Sequence, residues 1–87
     1  MMSIMSENVI PGKQGRIFGT NAREKEDMER IREKVLEMKG VDRVILKPDE
    51  FPRSFIVYTS KLVSVRDIEE MVKTTGFHAI PKESIEL

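Results

Sequence analysis

Residues able to do chemistry are few in this chain, and each group has a plain structural explanation beside its chemical one. Glu24, Glu26 and Asp27 crowd one short stretch. Carboxylates suit hard cations such as Mg(II) or Ca(II), which need several converging oxygens. Arg23 and Lys25 are interleaved with them, and the start of a helix favours acidic side chains through its dipole alone. They are read as helix-entry residues, with no metal expected. His78 is the only histidine. Without a second ligand or an adjacent nucleophile it is expected to play a surface or strand role rather than a catalytic one.

Six methionines raise the possibility of thioether ligands for Cu(I). Met28 and Met38 fall on one helical stripe and Met71 adjoins another, so core filling accounts for those three. Met1, Met2 and Met5 lie in an N-terminal segment without periodicity. Ser60 and Ser64 have no histidine in a recognisable relation to them, and there is no Gly-rich phosphate loop, His-Glu-x-x-His run or nucleophile elbow. The expectation is a non-enzymatic domain without a cofactor. The absence of cysteine excludes disulfides and thiolate chemistry.

Charge narrows the partners. Fifteen basic residues balance fifteen acidic ones, so the chain lacks the net positive field that supplies most nucleic-acid or anionic-membrane affinity. Lys13, Arg16, Arg43, Lys47 and Arg53 could collect on a sheet, but the aromatic signature of an RNA-recognition surface is missing. No nucleic-acid or membrane partner is expected. With no leader-like segment, a cytoplasmic location is the default.

The elements that must position these residues follow from periodicity. Residues 1–12, ending in Pro11-Gly12, read as a flexible arm, residues 13–82 as one domain, and residues 83–87 as a tail. Gln14 to Phe18 is a short candidate strand. Met28, Ile31, Val35 and Met38 recur at helical spacing within Glu24 to Lys39. Asn21 and Glu24 have capping-box spacing, and Gly40 supplies a left-handed stop.

Val41 to Lys47 and Arg53 to Ser60, separated by Pro-Asp-Glu-Phe-Pro, read as a hairpin. Ser64 with Asp67 is a second capping pair. Val65, Ile68 and Val72 mark a second helix that stops at Gly76, and Phe77 to Ile80 is a last strand. The order βαββαβ predicts an α/β (α+β) fold, a ferredoxin-like two-layer sandwich with an antiparallel four-stranded sheet and both helices on one face.

That architecture leaves a problem in the hairpin's second strand. Phe55 and Val57 alternate with Ile56 and Tyr58, so both faces are apolar or aromatic although helices cover only one. Ile56, Tyr58 and Ile80 form a candidate interaction face, which Ile17 or Ile45 extends depending on register. An exposed apolar face marks a protein partner or a second copy of the chain. The alternative is that the arm folds back over it with Ile4, Val9 and Ile10.

Order and spacing together resemble a heavy-metal-associated domain, the small module of copper chaperones and of the N-terminal regions of metal-transporting ATPases. The similarity runs from about Arg16 to Lys82. It is carried by Phe18-Gly19, the helix exit Val35-Leu36-Glu37-Met38-Lys39-Gly40-Val41, and Val44-Ile45-Leu46. It continues through Phe55-Ile56-Val57-Tyr58, Val65 to Val72, and Thr75-Gly76-Phe77-His78-Ala79.

The family places a Gly-Met-x-Cys-x-x-Cys loop before its first helix, where two thiolates grip a soft ion. Here that stretch runs from Gly19 to Asp27 and is two residues longer, and the thiolate positions fall on Glu24 and Asp27. The resemblance therefore implies the scaffold without its thiolate metal site, serving as a protein-interaction or regulatory module. A metal-binding or metal-transfer module using Glu24, Asp27, His78 or methionines stands as the alternative. A small enzyme or ligand-binding domain on the same sandwich is a third.

Overall fold

The computed structural model describes residues 9–49 and 53–82. In chain order the elements are β1 (Val9–Ile10), β2 (Gly15–Thr20), α1 (Lys25–Leu36), β3 (Val41–Lys47), β4 (Ser54–Thr59), β5 (Val63–Ser64), α2 (Val65–Lys73) and β6 (Ala79–Pro81). The main sheet has four strands in the order β3-β4-β2-β6, every pair antiparallel. Both helices pack on one face of it, which gives the expected ferredoxin-like two-layer sandwich.

The core is the layer between helices and sheet. Met28, Ile31 and Val35 from α1 meet Ile68 and Val72 from α2, with Phe18, Val44, Phe55 and Val57 contributed by the strands. Phe18 and Phe55 are cross-strand partners whose rings stack with centroids 5.5 Å apart. Such aromatic pairs stabilise by more than their buried area.

Helix termini follow their local chemistry. Ser64 is the N-cap of α2, its hydroxyl accepting from the Asp67 amide at 3.4 Å, as the Ser64/Asp67 spacing predicts. α1 ends earlier than its apolar stripe suggests. The Glu37 and Met38 amides donate to the Lys34 and Val35 carbonyls, a tightened last turn, before Gly40 turns the chain at φ +91°.

The expected arm needs correction at its end. Val9 and Ile10 form β1, which pairs antiparallel with β5, and Ile10 is 2% exposed within the core. The segment is anchored further by the Thr59 hydroxyl, which donates to the Pro11 carbonyl at 2.9 Å, and by the Lys13 amide on the Thr59 carbonyl. Two-residue strands show no period, so neither β1 nor β5 is visible in the sequence. Ile10 is therefore not available to cover the open sheet face, and Ile4 lies outside the described residues. The last strand is Ala79–Pro81 rather than Phe77 to Ile80.

Candidate functional site: the helix-entry loop and the open sheet face

The loop that leads into α1 starts at the buried end of β2. The Thr20 amide donates to the Arg53 carbonyl at 3.0 Å, and the Thr20 hydroxyl accepts from the Ala22 amide at 3.2 Å. Ala22 is buried, which pins the loop to the core. Asn21 does not cap α1. Its side-chain oxygen instead accepts from the His78 amide at 2.8 Å, tying this loop to the one that precedes β6. The N-cap is Glu24, in extended conformation, and its side chain makes no capping bond.

The carboxylates of this loop have different surroundings. The Glu24 carbonyl, not its carboxylate, receives the Asp27 and Met28 amides, each at 3.1 Å. The Asp27 carboxylate lies 3.6 Å from the Arg30 guanidinium, a partner one helical turn along. Glu24, Glu26 and His78 are exposed. Among the described residues, no three or more His, Cys, Asp or Glu side chains are grouped so as to hold a metal ion. A soft ion would in any case find no thiolate here.

The sheet face turned away from the helices is organised by register. Ile17, Ile56 and Ile45 are direct cross-strand neighbours on β2, β4 and β3, so three isoleucines form one row across the sheet. Ile17 is 43% exposed and Ile45 37%. Ile80 stands opposite Gly19 on the edge strand and is 66% exposed.

Beside the row, Tyr58 lies between Gly15 and Arg43. Its ring occupies the space above Gly15, where a Cβ would fall 2.7 Å from the ring edge, and the Arg43 guanidinium sits over the ring at 4.8 Å from its centroid. Ile56, Tyr58 and Ile80 thus share one face, and both Ile17 and Ile45 extend it.

An open depression of about 490 Å³ lies along one face of α2 beside the residues that follow α1, lined by Met38, Lys39, Asp67, Glu70, Met71 and Thr74. Met38 and Met71 are only half-buried and are among its lining residues, and Met38 also packs against the core as its stripe position suggests. Their positions at the edges of the helical stripes were the available signal of the depression in the sequence.

No protein-family model matches the chain, and no curated protein does. Among solved structures, the chain is similar to the apo form of the HMA domain of a copper chaperone for superoxide dismutase. The TM-score is 0.67 and the identity 17%, over 84% of this chain and 72% of that one. At that identity the likeness is one of fold, and the chain has the ferredoxin-like fold of that domain. No helix among the described residues is long and apolar enough to cross a membrane.

Proposed function

We propose that this chain is a heavy-metal-associated-like domain that works without a thiolate metal site, as a non-catalytic protein-interaction or regulatory module whose contact surface is the open sheet face. The observation that carries the reading is the row Ile17-Ile56-Ile45, continuous across three strands and covered by neither helix. Contiguous apolar surface of this kind is retained where a partner covers it in the working state. The helix-entry loop supports the same reading from the other side. Its two family thiolate positions hold Glu24 at a helix cap and Asp27 beside an arginine.

Titrating Cu(I), Zn(II) and Mg(II) separately while following backbone amide shifts tests the reading. The expected result is small, non-saturating shifts at the helix-entry loop. Saturable shifts confined to residues 19–27 and His78 would overturn it in favour of metal binding through non-cysteine ligands.

A further inference from the structure

The proposed contact face carries a charge as well as an apolar row. Its register positions hold Arg43 and Lys47 on β3, and no Asp or Glu holds a register position on the main sheet among the described residues. Asp42, the extra residue at the β3 irregularity, has no register partner. Lys82 joins the face from the edge: its amide donates to the Ile17 carbonyl, and its side chain lies over Gly19, 3.4 Å from where a Cβ would be. The chain as a whole is neutral, so this cationic face is balanced by acidic surface elsewhere, including Asp67, Glu69 and Glu70 on α2.

From this segregation we infer that the partner is a protein segment that combines apolar side chains with carboxylates: the apolar groups cover Ile17, Ile56 and Ile45, and the carboxylates meet Arg43, Lys47 and Lys82. The inference rests on the sheet-face reading and adds the chemistry of the partner. A second copy of the chain docked face to face is disfavoured, because a two-fold interface sets each cationic patch against its own copy. Nucleic acid is disfavoured by Tyr58. Its ring packs against Gly15 and already carries the Arg43 guanidinium, so it is not the free aromatic platform on which an unpaired base stacks.

A displayed library of random dodecapeptides, selected in parallel on the full chain and on its Ile56→Asp variant, tests this. Amide spectra of the variant establish that it stays folded. Lys47→Glu/Lys82→Glu, altering only side chains at the rim, serves as an independent second variant.

Peptides recovered on the full chain and lost on Ile56→Asp are expected to be apolar and net acidic. Their affinity is expected to fall on the order of tenfold in Lys47→Glu/Lys82→Glu, since exposed ion pairs are individually weak and their contributions are summed here. It should also weaken as salt rises.

Ile56-dependent peptides that are neutral or basic would leave the face as a contact surface and overturn the inferred partner chemistry. Recovery of no Ile56-dependent peptide would overturn both. Concentration-dependent dimerisation abolished by Ile56→Asp, or binding of a single-stranded oligonucleotide that displaces the peptides, would overturn the partner chemistry in favour of a second copy or of nucleic acid.

Discussion

Ile10 and Ile80 are the same residue type near opposite ends of the described chain, and truncating each to alanine should have very different consequences. Ile10 is 2% exposed and belongs to the core, whereas Ile80 is 66% exposed on the open face. Deleting a buried isoleucine side chain beyond Cβ costs the lost transfer free energy plus the cavity left behind, about 2–5 kcal/mol. β1 is a short peripheral strand that can relax around the gap, so Ile10→Ala is placed in the lower half of that range. For a domain of this size each kcal/mol lowers Tm by roughly 4–8 °C. Ile10→Ala should therefore cost about 2–3.5 kcal/mol and lower Tm by about 8–28 °C, a large share of the stability of a small domain.

Ile80→Ala should stay within about 0.5 kcal/mol of the parent. Urea unfolding followed by circular dichroism measures both, with m-values compared to verify that the two variants unfold from equally compact states. A cost for Ile10→Ala no larger than that for Ile80→Ala would refute the packing of β1 against the core and return residues 9 and 10 to the arm.

Three further outcomes follow from the same geometry. Gly40 and Gly76 have φ of +91° and +93°, but a Cβ at Gly40 would meet the Val63 side chain at 2.8 Å while one at Gly76 meets nothing within 4 Å. Gly76→Ala should cost about 1–2 kcal/mol of left-handed strain and Gly40→Ala measurably more, read as the difference between their unfolding midpoints. Asn21→Ala removes the acceptor for the His78 amide and should cost about 1 kcal/mol, with faster hydrogen exchange at His78 and little change in the core. Glu24→Cys with Asp27→Cys introduces a thiolate pair at the helix entry. At a helix N-terminus, which lowers thiol pKa, the double variant should retain Cu(I) against a competing chelator while the parent does not.

Most of the sandwich was legible because its long elements carry strong periods. The stripe Met28-Ile31-Val35 and the stripe Val65-Ile68-Val72 are the buried faces of α1 and α2, and Val44, Phe55 and Val57 do face them from the sheet. What escaped had no local signature. β1 and β5 are two residues each, and their pairing joins segments far apart in the chain.

The Asn21/Glu24 spacing suggested a capping box. Asn21 is instead used in tertiary structure, bonding to a loop that local sequence cannot bring near. The open face was legible in part: alternation in Phe55-Ile56-Val57-Tyr58 showed that two apolar faces exist. Only register shows that Ile17 and Ile45 flank Ile56, and that Arg43, Lys47 and Lys82 share that side.

Mapping backbone amide shifts on the full chain during titration with an apolar, acidic peptide recovered on it tests the central proposal most directly. The account predicts shifts centred on Ile17, Ile45, Ile56 and Tyr58, with residues 21–27 unchanged. Shifts centred on residues 20–28 and 76–78, with the isoleucine row unchanged, would contradict it and return function to the helix-entry loop.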